Sequence, residues 1–173
     1  HAFATMATGG FSTENGSIGQ YDSAYVDGVI TLFMFLAGMN FALHYRMLRG
    51  KAITVFRDEE LRVYAGITLG ATTLIALATW SPTAGWFAAD AAATAYSSIG
   101  EAIRYASFQS VAIITTTGFG TADYELWPAL AIGTVFLLFF IGGMAGSTGG
   151  GVKVVRHVLL VKNSFREVKQ LVH

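Results

Sequence analysis

The chain has 173 residues, 53% of them hydrophobic and 13% charged, with zero net charge and no cysteine. A soluble domain carries about 25% charged residues, so this composition argues against a soluble enzyme and for a chain largely dissolved in lipid. It excludes disulfides and cysteine metal sites, and it gives no argument for a nucleic-acid partner.

In chain order, the apolar stretch Ala24 to Tyr45 is the first predicted span. At about 1.5 Å per residue it reaches roughly 33 Å, enough for a hydrocarbon core of about 30 Å. Asp27 is expected near its outer end, where water is available. Lys51 to Arg62 is a charged loop, and Leu61 to Trp80 is the second predicted span. Gly66 and Gly70 give that span a small-xxx-small stripe that permits close helix contact. Ser98 to Thr115 carries Glu101, Arg104, Ser107, Gln109 and Ser110 and is too polar for a simple span. Ser98-Ile-Gly-Glu101 matches a capping box, which predicts a helix start there. Trp127-Pro128 opens the next helix, with proline in its first turn. Its apolar run to Ile141 spans only about 21 Å as a helix, too short to cross. It then meets Gly142-Gly-Met-Ala-Gly-Ser-Thr-Gly-Gly-Gly151. Each glycine in a helix interior costs about 1 kcal/mol relative to alanine, so the helix is expected to break inside the membrane. Val152 to Val172 resumes with helical spacing and a basic face.

Charge gives the orientation. All the basic residues except Arg104 fall between Arg46 and Arg62 or from Lys153 onward. Lys and Arg collect at cytoplasmic ends of spans, so those segments are expected inside. Residues 12–23, 81–97 and 120–126 are then expected outside. The segment 98–121 leaves and returns on the outer side and is therefore predicted to be re-entrant. Non-helical backbone at that depth is tolerated only when buried in protein or lining water.

The chain also contains an internal repeat. Phe3 to Thr13, with Thr8-Gly9-Gly10-Phe11, corresponds to Ala112 to Thr121, with Thr116-Thr117-Gly118-Phe119. Matching Thr-Gly to Thr-Gly pairs Gly9 with Gly118. Each copy is followed by an acidic loop, an apolar helix, a Gly-Met pair (Gly38-Met39 or Gly143-Met144) and a basic end. The repeated unit is thus helix, pore loop, helix. Carbonyls of an extended Thr/Gly segment can replace the hydration shell of a cation. A pore helix ending there turns its negative dipole end toward the ion.

These residues resemble the TrkH/KtrB family of the Trk/Ktr/HKT potassium transporters. The likeness covers essentially the whole chain and is carried by Phe3–Thr13, by Thr115–Pro128 and above all by Gly142–Lys153. It implies an all-α integral membrane fold of helix–pore loop–helix repeats, like that of potassium channels. The chain would be an incomplete fragment of a four-unit pore, running from the second filter through the third unit. Residues 1–50 would close one unit, with the filter at 1–13. Residues 51–60 would be a cytoplasmic loop, and 61–173 a complete unit with its pore helix at 98–115 and its broken helix at 127–172. The implied ion-binding residues are Thr8, Gly9, Gly10, Thr116, Thr117, Gly118 and Phe119. The implied gating loop comprises Gly142, Gly143, Gly146, Ser147, Thr148, Gly149, Gly150 and Gly151, with Lys153 beside it. Potassium would be the transported ion and no cofactor would bind this chain. The resemblance further implies a homodimer in the plasma membrane, bearing a cytoplasmic RCK-type nucleotide-binding subunit like TrkA or KtrA.

Other readings fit the same residues less well. A secondary transporter with Gly142–Gly151 as the break in a discontinuous helix does not predict the duplicated Thr-Gly segment. An intramembrane enzyme would have to use Ser147 and His157, which lack a partner at catalytic spacing. A Walker loop fails because Val152, not glycine, precedes Lys153. Glu101 reads as a helix cap, Asn40 as a polar contact across helices, and His44 and His157 as interfacial. Asp123 and Glu125 sit where they could concentrate cations at an outer mouth.

Overall fold

The structure is a computed structural model and describes residues 1–80 and 95–172. Its regular elements are helical: α1 (Ala2–Met6), α2 (Ala24–Ala37), α3 (Phe41–Leu48), α4 (Ala52–Phe56), α5 (Glu59–Thr79), α6 (Ile99–Ile114), α7 (Ala129–Leu138) and α8 (Val154–Val172). Short 3-10 turns cover Ser17–Tyr21 and Tyr124–Leu126. The expected outer segment 81–97 lies largely outside the described residues.

Helix α5 is the central post. Asp58 caps its start by accepting from the Leu61 amide at 3.0 Å. It is the one unbroken helix among the described residues long and apolar enough to cross a membrane. It packs along α6 and α7 and meets the start of α8. Small buried residues, Ala71 and Ala78 on α5 with Ala102 and Ala106 on α6, fill this core. The predicted Gly66/Gly70 stripe is not used in this contact: nothing lies within 4 Å of a Cβ placed at either position. Leu69, Leu74, Leu77, Phe136, Leu137, Phe139 and Phe140 are exposed around the periphery.

Three further expectations need correction. The span predicted as one helix over 24–45 is broken: α2 and α3 meet at 102° across Gly38-Met39-Asn40. The cause is local. Asn40 is extended, and its side-chain oxygen accepts from the Ala42 amide at 2.8 Å, so it caps α3 as a new helix. Asn40 is therefore a cap, not the cross-helix contact expected of it. Asp27 is not solvated at an outer end either. It is 2% exposed and accepts from Arg104 Nε on α6 at 2.7 Å. Arg104 also reaches Asp22 at 3.4 Å. The lone basic residue outside the two basic segments thus ties α6, which leads into the second Thr/Gly copy, to α2, the helix that follows the first.

Helix α6 starts at Ser98, whose hydroxyl accepts from the Gly100 amide at 3.2 Å. The serine half of the predicted capping box is present in this form.

Candidate ion pathway

Each repeat copy ends a helix and then runs on in an unusual backbone. Left-handed φ values occur at Thr8 (50°) and Gly10 (66°) in the first copy, and at Thr116 (58°) and Gly118 (77°) in the second. Gly9 and Thr117, between them, are not left-handed. Threonine tolerates that region poorly, so both copies hold strain that their surroundings must offset. The exit hydrogen bonds also match. Gly9 N donates to Ala4 O at 2.8 Å and Thr117 N to Ala112 O at 2.9 Å; Thr8 N donates to Thr5 O at 3.2 Å and Thr116 N to Ile113 O at 2.9 Å. These pairs set the register: Thr8 matches Thr116, Gly9 matches Thr117, Gly10 matches Gly118 and Phe11 matches Phe119. The sequence pairing of Gly9 with Gly118 is off by one residue, because it matches Thr-Gly where the backbone repeats Gly-Phe.

The two copies lie side by side. A Cβ added at Gly10 would land on the Thr117 carbonyl oxygen, so a side chain there is excluded by contact as well as by φ. Behind the second copy, the Thr115 and Thr117 hydroxyls pair at 2.8 Å, and both residues are buried. Thr115 also donates to Val111 O at 2.7 Å. Gln109, buried on α6, donates from Nε2 to Ala122 O at 2.9 Å and so holds the outer exit of the segment. Phe119 is buried with Phe108, Val111, Ile18 and Met34. Past the second copy the 17–21 turn docks on it: Gly19 N donates to Gly120 O at 3.0 Å, and Gly120 N donates to Ser17 Oγ at 3.2 Å.

The glycine-rich break lies against the inner ends of both copies. Thr148 Oγ1 donates to Met6 O at 3.1 Å, at the end of α1. Gly150 N donates to Thr116 Oγ1 at 2.6 Å. A Cβ at Gly149 would stand 2.9 Å from Thr115 O, so only glycine allows this approach. The loop is folded on itself by Gly142 N to Val152 O (2.8 Å), Val154 N to Gly143 O (3.2 Å) and Ser147 Oγ to Met144 O (2.7 Å). Gly146 and Gly151 take left-handed φ values of 73° and 69° at its turns. Lys153 Nζ donates to Gly149 O and reaches Ser147 Oγ at 3.4 Å, so the ammonium closes the loop from its C-terminal side.

The elbow between α2 and α3 explains why the loop sits where it does. A helix end leaves its last carbonyls without intrahelical donors. Here Phe35 O takes the Tyr64 hydroxyl at 3.2 Å, and Leu36 O takes His44 Nε2 at 2.9 Å. Ala37 O takes Thr148 Oγ1 at 3.3 Å, and Gly38 O takes the Met144 amide at 2.9 Å. Two of these four donors belong to the loop. The Phe41 amide, freed by the bend, donates in return to Gly146 O at 3.1 Å. His44, expected to be interfacial, is a helix-end donor.

Sequence reasoning missed three groups here: Tyr64, Gln109 and Glu60. Glu60 accepts from the amides of Ala145 and Val155, on either side of the loop. All three act across sequence separations that local pattern does not reveal; the one visible signal is that Gln109 is among the residues that make 98–115 too polar for a simple span. Among the described residues no group of three His, Cys, Asp or Glu side chains could hold a metal ion.

Comparison with known proteins gives the family of the chain. The family described as "TrkH: Cation transport protein" matches residues 1–173. The Trk system potassium uptake protein TrkH of Escherichia coli (strain K12) is 40% identical over 174 residues, covering 100% of this chain and 34% of that protein. The Trk system potassium uptake protein TrkG of the same strain is 34% identical, covering 100% of this chain and 33% of its own length. The crystal structure of the potassium transporter TrkH from Vibrio parahaemolyticus superposes with a TM-score of 0.85 at 34% identity, over 100% of this chain and 35% of that one. The chain therefore spans about a third of the length of these relatives, and its two Thr/Gly segments, its bent helix and its glycine-rich break all fall within the matched region. The chain belongs to the TrkH family of cation transport proteins.

Proposed function

We propose that the protein of which this chain forms part takes up potassium ions across the plasma membrane, and that the two Thr/Gly segments line the ion path. The segment 142–151 is its gate. The observation that carries this reading is the seat of the loop: Thr148 bonds the inner end of one copy and Gly150 that of the other. A loop so placed closes a path that runs between the copies. Alternating left-handed and ordinary residues turn the backbone away from strand geometry, in which successive carbonyls point to opposite sides. Such a backbone can offer several carbonyls to one cation. Helix α6 points its C-terminal, negative end at Thr116–Gly118. The exposed apolar periphery and the length of α5 suit a lipid surround.

The relatives named above are potassium uptake proteins of the Trk system. We extend that to this chain, together with a homodimeric parent and a cytoplasmic nucleotide-binding subunit. Helix α8 runs on past the core with Lys162, Arg166 and Lys169 exposed, the end such a subunit would meet. The test is Rb⁺ uptake by the full-length parent in proteoliposomes. Saturable uptake, competed by K⁺, is expected; no uptake by verified, inserted protein sinks the proposal.

A further inference from the structure

Three carboxylates stand at the start of α5, and only one of them serves that helix. Asp58 caps it through the Leu61 amide. Glu59 is exposed and pairs with Lys162 on α8 at 2.6 Å. Glu60 turns instead to the glycine-rich break. Its Oε1 accepts from the Ala145 amide at 2.7 Å and from the Val155 amide at 3.2 Å. Ala145 enters the loop and Val155 lies in the first turn of α8. One oxygen therefore bridges the two lengths of chain that carry the loop, just beyond the Val154 N to Gly143 O bond that closes its neck.

Both amides belong to positions that need an outside acceptor. Val155 N is one of the first amides of α8 and has no partner within that helix. Ala145 N lies in a non-helical segment. A carboxylate binds backbone amides about twice as strongly as a neutral acceptor does. It also suits the positive end of α8. The anchor itself is fixed, because α5 is packed along α6 and α7. The loop thus hangs from a rigid post by one ionised group at its neck, while its tip meets Thr116 and Met6.

We infer that Glu60 is the latch of the gate: a positioning residue whose carboxylate, by holding Ala145 N and Val155 N together, keeps the 142–151 loop seated under the Thr/Gly segments. The inference rests on the reading of that loop as a gate. Release of either amide lets α8 move away from Met144 and draws the loop tip off Thr116. Glu60 does not touch the ion path, so the latch sets how often the path is open and not how tightly it binds cations.

The test uses the full-length parent in proteoliposomes, with Glu60→Ala, Glu60→Gln and Glu60→Asp. Glu60→Ala is expected to raise the initial rate of Rb⁺ uptake at least about tenfold, the effect of losing one hydrogen bond to a charged group. Half-saturation by Rb⁺ stays unchanged. Glu60→Gln, which keeps an oxygen acceptor without the charge, gives a smaller rise, and Glu60→Asp falls between wild type and Gln. In a parent lacking residues 142–151, Glu60→Ala adds nothing, because the two changes act on one element. A wild-type rate in Glu60→Ala, a shifted half-saturation, or an equal rise in the loop-deleted parent overturns the latch. So does lost uptake by inserted protein. A second measurement separates this outcome from failure of the pathway itself. A single thiol placed on the loop by Ser147→Cys is labelled from the inner side by an impermeant maleimide. Faster labelling in the Glu60→Gln background supports the latch even where the parent carries no Rb⁺, and equal labelling removes it.

Discussion

The two chain breaks that follow the two Thr/Gly segments start from the same parts. Each stands at a Gly-Met pair. In each, a carbonyl at or just past the end of the preceding helix takes a histidine from the next one: Leu36 O from His44 at 2.9 Å, and Phe140 O, two residues past α7, from His157 at 3.1 Å. Their outcomes differ. The first break, Gly38-Met39-Asn40, becomes a stiff elbow, because Asn40 caps α3 at once. The second has no such cap, and its chain wanders from Phe139 to Lys153 before α8 begins. The elbow also supplies the seat for the wandering loop, through Ala37 O and Gly38 O. One weak point in a repeat has thus yielded a fixed bracket in one copy and the part resting on it in the other.

The strongest way to break this comparison is to remove the second element. Deleting residues 142–151 from the parent should raise basal Rb⁺ uptake more than any point substitution. It abolishes three bonds together: that of the Thr148 hydroxyl, shared between Met6 O and Ala37 O, and those to Gly38 and Thr116. Each is worth about 1 kcal/mol, or about fivefold per bond in the closed-to-open ratio. Unchanged uptake would leave the loop as a mere connector. The next effect concerns how the copies are held. Arg104→Ala strands Asp27, whose side chain is 3% exposed, as a buried and unpaired charge. Breaking such a pair costs about 3–5 kcal/mol, so thermal denaturation of the purified parent should move down by several degrees. Asn40→Ala tests the elbow alone. Loss of an N-cap costs about 1 kcal/mol, so exchange of the amides at 41–44 should speed up about fivefold. Protection equal to wild type would show that the loop, not the cap, holds the bend. The smallest effect is expected at Glu59→Gln. Both side chains of the Glu59–Lys162 pair are 54% exposed, so solvent and salt screen it. Uptake and melting should match wild type, and a clear change in either would make α8 more tightly tethered than its exposure implies.

Much of this is legible in the sequence because it rests on local chemistry. Ser98 announces the start of α6 and the glycines of 142–151 announce the second break, whereas Asp58, the cap of α5, lies in a stretch that reads as a charged loop. The first break is equally local, yet it hides. Gly38 ends α2 and Asn40 is a preferred cap residue, but the apolar run around them reads as continuous. Hydropathy sums over a bend without registering it. The register of the repeat fails for another reason. Thr-Gly occurs in both copies one residue out of step, and identity of letters outweighs the handedness of the backbone, which the match of Phe11 with Phe119 preserves. The partners of Asp27 and Glu60 are out of reach altogether. They lie on α6 and beyond α7, and no window along the chain contains both ends of such a contact.

The loop is built almost without side chains. Its neck and its turns are held by backbone hydrogen bonds, Thr148 is the one loop side chain that bonds the seat, and six of the ten residues from Gly142 to Gly151 are glycine. Glycine surrenders more backbone freedom on being fixed than any other residue. Leaving the seat therefore releases an unusually large amount of disorder, while returning requires no search among rotamers. If the loop gates the path as proposed, its release is thermally biased: warming favours the released form, and cooling restores the same seated arrangement each time.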